Sequence, residues 1–275
     1  MAESPNPKLN DRVSIDLVDG VADVRLNRPD KMNALDPAMF DGLTAAGEAL
    51  RRQAGVRAVV LSGEGKGFCA GLDMGLFQSM VSGGTVLGDL RPRTHGPANA
   101  AQQAVMVWRS LPVPVIAAIH GVALGGGFQI ALGADIRYVA PEARLSVLEI
   151  KWGLVPDMGG VALMRELARA DVIRELTFTG RMFSGTEALA FGFATALHAD
   201  PRAAALATAR DIAGRSPDAM RAAKRLLNLA GDGSVAEVLQ AESDEQAKLI
   251  GSPNQIEAVL AGVENRAPAF RAPPA

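Results

Sequence analysis

Apolar and polar residues alternate over residues 13–19 and again over 21–27, with Gly20 between them. A period of two predicts two short strands folded as a hairpin. Residues 28–35 form a polar connection. Asp36-Pro37 then predicts a helix start, with the aspartate as cap and the proline at the first helical position. That helix runs to about residue 53, and Gly55 closes it. Residues 56–62 are a continuous apolar run, the pattern of a buried strand. Strand, strand, helix, strand is the opening of a ββα repeat.

Glycines from Gly63 to Gly71 mark a loop leaving that strand. Asp73 is placed to cap a helix that carries Met74, Phe77, Met80 and Val81 on one side, a stripe that reads as core packing, with a ligand pocket as the alternative. Residues 82–97, rich in Gly, Pro and Arg, predict a surface loop. Unstructured loops of that length often cover a site. Residues 98–109 read as a helix, stopped by Leu111-Pro112-Val113-Pro114.

The β-branched run 113–119 predicts a buried strand, and the apolar run 128–132 predicts the first turns of a buried helix. Between them lies His120-Gly121-Val122-Ala123-Leu124-Gly125-Gly126-Gly127. Glycine there permits a sharp turn and close approach of a ligand to the main chain. The first N–H groups of the helix have no partner inside it and can hold a negative oxygen. The alternative is a tight turn or a helix–strand packing point. A dinucleotide fingerprint does not fit, because Ile130 stands where its last glycine would be.

Residues 135–139 and 143–147 predict strands, and 149–160 is irregular. Helices are expected over 161–168 and 172–179. Ser184-Gly185-Thr186-Glu187 predicts a capping box opening a short helix that ends near Gly192, and 195–199 a last strand. After residue 200 four helical segments follow, 201–214, 217–230, 234–250 and 253–264. A helical appendage of that size needs other surfaces for its apolar faces. It is expected to pack on the core and on neighbouring subunits.

Composition narrows the function classes. With 48% hydrophobic residues the chain folds around a real core, and a net charge of −2 offers no general attraction to nucleic acid or anionic membrane. Cys69 is the one cysteine, so a reducing, cytoplasmic setting is expected. Residues 1–10 lack a signal-peptide core, and no apolar run is long enough to span a bilayer. Cys69 reads as a small packing residue rather than a nucleophile, since no base is identifiable beside it. His120 reads as a structural histidine, with a general base as the alternative.

Several segments together resemble one family. They are Phe68-Cys69-Ala70-Gly71-Leu72-Asp73, Ala123-Leu124-Gly125-Gly126-Gly127, and Glu149 followed by Gly153-Leu154-Val155-Pro156. To these add Phe183-Ser184-Gly185-Thr186-Glu187-Ala188-Leu189 with Phe191-Gly192, Ser216-Pro217 with Lys224, and Asn265-Arg266-Ala267-Pro268-Ala269-Phe270. In that order they resemble the crotonase, or enoyl-CoA hydratase/isomerase, superfamily over roughly residues 12–270. The resemblance implies an α/β fold: a spiral of ββα repeats over residues 1–200 and an all-helical oligomerisation region over 201–275. It implies a homotrimer or hexamer and an acyl-CoA thioester as ligand. No cofactor or metal is implied beyond the coenzyme A of the substrate.

Chemistry beside a thioester puts negative charge on its oxygen, and the resemblance assigns the main-chain donors for that oxygen to Ala70 and Gly126. Glu149 matches the catalytic acid/base. Arg28, Lys31, Ala34, Phe68, Leu72, Asp73, Gly125 and Gln129 fall at substrate-binding positions. Residues 82–97 with Met74, Phe77 and Trp108 are expected to shape the acyl pocket.

The chain departs from the family's hydratases at one point. Their second glutamate falls at Gln129, and glutamine cannot act as a carboxylate base. Dienoyl-CoA isomerases are similar to this chain at Glu149 and at Asp157, eight residues on. They carry an aspartate at the place of Gln129. Asp157 can also be read as a turn residue after Pro156. The leading expectation is therefore an enzyme that shifts a double bond of an unsaturated acyl-CoA. Hydration of a 2-enoyl-CoA is the alternative, and a CoA-ester binding protein with little catalysis is another.

Overall fold

The structure is a computed structural model and describes residues 10–85 and 88–272. Residues 1–9 of the expected polar terminus, 86–87 of the expected loop and 273–275 lie outside the described residues.

The alternating segments form β1 (Val13–Val18) and β2 (Val21–Leu26), paired antiparallel. Their two-residue turn places Asp19 at φ 49° and Gly20 at φ 81°. A left-handed pair matches the twist of a tight hairpin, and Asp-Gly tolerates it best. Asp36 caps α1 (Pro37–Arg51), accepting the Met39 N–H at 2.9 Å. Next come β3 (Ala58–Gly63), α2 (Met74–Val81), α3 (Ala100–Arg109) and β4 (Val115–Ile119). A short strand that the pattern did not reveal, β5 (Val122–Leu124), precedes α4 (Gly126–Leu132). Then follow β6 (Ile136–Val139), β7 (Arg144–Ser146), a 3-10 turn (Glu149–Trp152), α5 (Gly160–Met164) and α6 (Ala170–Thr179). A second unanticipated strand, β8 (Phe183–Ser184), leads into α7 (Gly185–Phe191). Ser184 and Glu187 form the expected capping box, and Gly192 ends the helix in the left-handed region. After β9 (Ala196–Leu197) come α8 (Pro201–Ala213), α9 (Pro217–Ala230), α10 (Val235–Leu249) and α11 (Pro253–Val263).

The strands divide between two sheets, ordered β1-β2-β3-β4-β6-β9 and β5-β7-β8. From β4 to β7 the chain alternates, adding one strand to the larger sheet and the next to the smaller. β4 pairs with β3 and β6, whereas β5 pairs with β7. Cys69, between β3 and α2, bridges to Ala123 of β5 in the same way. This is the spiral of ββα repeats expected from the sequence.

Burial follows the pleat. Along β3, Val59 and Leu61 face the main core, with Leu43, Phe68, Trp108 and Phe128 in the same cluster. Ala58 and Val60 face the other way, against Ala205, Ala209 and Ala213 of α8. Both faces are covered, so residues 58–61 are apolar without alternation. The division at residue 200 thus falls just before a helix that closes the sheet's outer face. Lys224 of α9 is buried and pairs with Asp135 at 2.5 Å, fastening the next helix to the core.

Candidate active site

Two glycine-bearing segments lie side by side and form one wall of a cavity. The first is residues 68–72; the second is β5 with the start of α4. Main chain joins them: the Cys69 N–H donates to the Val122 carbonyl, and the Leu124 N–H to the Cys69 carbonyl, both at 3.0 Å. At Gly71 φ is +84°, and a Cβ would stand 2.5 Å from the Leu124 oxygen. A Cβ on Gly127 would stand 2.4 Å from the Cys69 oxygen. Part of the glycine signal is therefore packing of chain on chain.

The rest serves the cavity. Ala70, Gly71 and Leu72 line it from the first segment, and Leu124, Gly125 and Gly126 from the second. The Gly126 N–H opens α4 and has no acceptor among the described residues. Ala70, expected as the other donor, does not have a free N–H: it donates to the Met32 carbonyl at 2.9 Å. Met32 and Asn33 are both left-handed, at φ 47° and 57°, in the turn that carries this carbonyl. Leu72 takes the place of Ala70. It lines the cavity, and its N–H has no acceptor among the described residues. Leu35 fixes it from both sides, donating to the Gly71 carbonyl at 2.8 Å and accepting the Asp73 N–H at 3.0 Å. A Cβ on Gly71 would begin 3.8 Å from the Gly126 nitrogen, so the two donor positions are neighbours.

Glu149 stands at the start of the 3-10 turn, facing these glycines. A Cβ on Gly125 would lie 3.3 Å from its Oε1. That oxygen accepts from Gln129 Nε2 at 2.6 Å, while the buried Oε2 has no partner. Burial pushes the Glu149 carboxyl above its usual range, and the nearby charge of Asp157 pushes the same way. Asp157 lines the same cavity, and burial raises its proton affinity too.

Gln129, expected to touch substrate, is set behind Glu149. It is 1% exposed and is not part of the cavity wall. Its Oε1 accepts the N–H groups of Met158 and Gly160, both at 2.9 Å. With its oxygen committed to two donors, its amide nitrogen must point at Glu149. Gln129 thus ties the acid/base to the loop that carries Asp157.

The remaining wall is hydrocarbon. α2 has no buried residue, and its stripe, read from its period as core, faces the cavity through Met74, Phe77 and Met80, in line with the pocket role expected of Met74 and Phe77. Phe77 stacks on Trp152, with ring centroids 4.4 Å apart. Leu90 from the loop also lines the space. Trp108 does not: it is fully buried in the core, and its indole N–H donates to the Ala104 carbonyl at 3.0 Å.

Other expected residues lie around this centre. Phe68 is fully buried, and Ala34 is buried with its carbonyl accepting from Arg28 at 3.2 Å. Arg28 is paired with Asp73 at 2.5 Å and lies 3.6 Å from Asp36. Asp73 also caps α2 through the Gly75 N–H at 2.7 Å. Lys31 is exposed on the turn before Met32. Cys69 is buried, its thiol pushed up to about 12 by desolvation, and it donates to the Asn33 carbonyl. A thiol held so firmly protonated is a packing group. His120 bonds the Gly65 carbonyl at 3.0 Å, away from the cavity. No cluster of three or more His, Cys, Asp or Glu among the described residues could hold a metal ion.

Known proteins share this architecture. The enoyl-CoA hydratase/isomerase family matches residues 16–273. The chain is 32% identical over 260 residues to the human mitochondrial Delta(3,5)-Delta(2,4)-dienoyl-CoA isomerase, covering 90% of this chain and 77% of that protein. It is also 32% identical over 261 residues to the mouse mitochondrial methylglutaconyl-CoA hydratase, covering 92% and 80%. A solved structure from Streptomyces coelicolor A3(2), provisionally named an enoyl-CoA hydratase, has a TM-score of 0.88 at 32% identity over 99% of this chain and 98% of that one. A match of that extent, in sequence and in fold, means that the chain belongs to the enoyl-CoA hydratase/isomerase family.

Proposed function

We propose that the protein shifts a double bond in an unsaturated acyl-CoA thioester. The observation that carries this reading is the acid arrangement. Glu149 and Asp157 share one apolar cavity, while Gln129 is withdrawn as a neutral bridge. Glu149 Oε2, the oxygen without a partner, takes the proton from the carbon beside the thioester carbonyl. The C–H electron pair moves into the conjugated chain, and charge collects on the thioester oxygen. The N–H groups of Leu72 and Gly126 hold that oxygen. Return of a proton farther along the chain completes the shift. For a 3-enoyl substrate Glu149 serves both steps; for a 3,5-dienoyl substrate Asp157 supplies the more distant proton.

The test is turnover of 3-enoyl-, 3,5-dienoyl- and 2-enoyl-CoA, resolved by chromatography. Rearranged products are expected from the first two and little hydroxyacyl product from the third. Asp157→Asn is expected to slow the dienoyl substrate at least tenfold more than the 3-enoyl one. Equal slowing would remove the distal proton role from Asp157.

Gln129→Glu gives a second expectation. Its carboxylate oxygen would stand where Nε2 now lies, 2.6 Å from Glu149 Oε1. Two carboxylates at that distance share one proton. The acid limb of kcat/KM should move to higher pH, and a limb left in place would show that the bridge does not govern Glu149.

Assembly is also proposed. α10 has no buried residue, and Val235 and Leu239 stand exposed on it, as do Leu227 on α9 and Val263 on α11. Covering such faces between copies fits a trimer or hexamer. Light scattering should give one of those masses; a stable monomer would contradict it.

A further inference from the structure

The two relatives above are equally similar to this chain in percentage identity, yet their names imply different acyl groups. A dienoyl group is a hydrocarbon chain. A methylglutaconyl group ends in a second carboxylate. The cavity distinguishes them. We infer that the acyl group this protein takes is a hydrocarbon chain with no second carboxylate. The inference rests on the acyl-CoA reading of the site and deepens it.

Three observations carry it. First, the wall beyond the glycines is formed by Met74, Phe77, Met80, Leu90, Trp152 and Leu154. Among the described residues, no lysine, arginine, histidine, hydroxyl or amide side chain lines the cavity. Lys151 sits 5.3 Å from the Trp152 ring centroid without lining the space, and Arg28 is paired with Asp73. Second, the acids that do line it are Glu149 and Asp157, whose negative charges burial already disfavours. An additional carboxylate would lose its water, find no cation, and face two acids. Third, the apolar face of α2 is only partly covered by protein, with Met74 57% exposed. An apolar occupant removes that surface from water; a charged one does not.

The test uses saturated thioesters, which bind without reacting, on the intact wild-type protein. Calorimetry at pH 8 compares hexanoyl-CoA, octanoyl-CoA and hexanedioyl-CoA. Octanoyl-CoA is expected to bind about tenfold tighter than hexanoyl-CoA, from two added methylenes. Hexanedioyl-CoA, of the same carbon count as hexanoyl-CoA, is expected to bind at least ~100-fold weaker, the scale of an unpaired buried charge. Leu154→Arg, at a partly exposed wall position, supplies the missing cation and should narrow that gap at least tenfold. Equal affinity for the matched pair in wild type, or a gap untouched in folded Leu154→Arg, overturns the inference. A hydrocarbon preference without any double-bond shift in turnover assays upholds it and removes the proton-shift reading instead.

Discussion

Glu149→Gln should lower turnover by about 10²–10⁴-fold, the range set by loss of a positioned acid/base, and leave acyl-CoA affinity within a few-fold of wild type. The substitution is nearly isosteric. The new amide oxygen can still accept from Gln129 Nε2, and the amide nitrogen takes the place of the partnerless Oε2. What is lost is the ability to take a proton. Stability provides the control. Burial raises the proton affinity of Glu149, so folding favours its neutral form. That contribution is present below the pKa of the unfolded chain and is lost as pH rises through the raised value. At pH 8 the wild type therefore carries a disfavoured charge that glutamine lacks, and the variant should melt no lower. The same shift places the acid limb of wild-type kcat/KM above the ordinary glutamate value of 4.5. A variant that keeps half its activity would remove Glu149 from the proton path.

The second large effect is expected at a main-chain atom. Replacing Leu72 by the corresponding α-hydroxy acid turns its N–H into an ester oxygen and leaves the side chain intact. Loss of one oxyanion donor typically costs about 10²–10³ in kcat, so a fall of that size is expected with only a small fall in melting temperature, because the Leu72 N–H bonds nothing in the fold and the ester merely weakens the Gly71 carbonyl as acceptor for the Leu35 N–H. The same exchange at Ala70 breaks its bond to the Met32 carbonyl. It should lower the melting temperature and affect kcat less. The reverse pattern would restore Ala70 as the donor.

That pair of residues shows where sequence reasoning stopped. Local signals were legible because they act over a few residues: the Asp-Gly turn at Gly20 and the caps at Asp36, Asp73 and Ser184 all stand where the pattern put them. β5 and β8 were not legible: β5 lies inside the glycine-bearing stretch that read as a turn, and β8 inside the stretch that read as a helix cap. The choice between Ala70 and Leu72 turns on a hydrogen bond that the Ala70 N–H donates to a left-handed turn far along the chain. A helical stripe does not say what faces it. The same period that suggested core for Met74 and Phe77 belongs here to a cavity wall, and Trp108, assigned to the pocket, belongs to the core. For Gln129 the residue type already argued against proton transfer. Its orientation came only from Met158 and Gly160, whose N–H groups fix which end of the amide meets Glu149.

The claim that this site moves protons rather than adding water is tested most directly in heavy water. Wild-type protein is given a 3,5-dienoyl-CoA and, separately, a 2-enoyl-CoA of the same length, and product masses are read against time. The expected result is a rearranged dienoyl-CoA that has gained no water and carries deuterium only at carbons where double bonds have moved, with the 2-enoyl-CoA almost unchanged. A 2-enoyl-CoA that gains one heavy water at an enzymatic rate, beside an untouched dienoyl-CoA, would contradict the account.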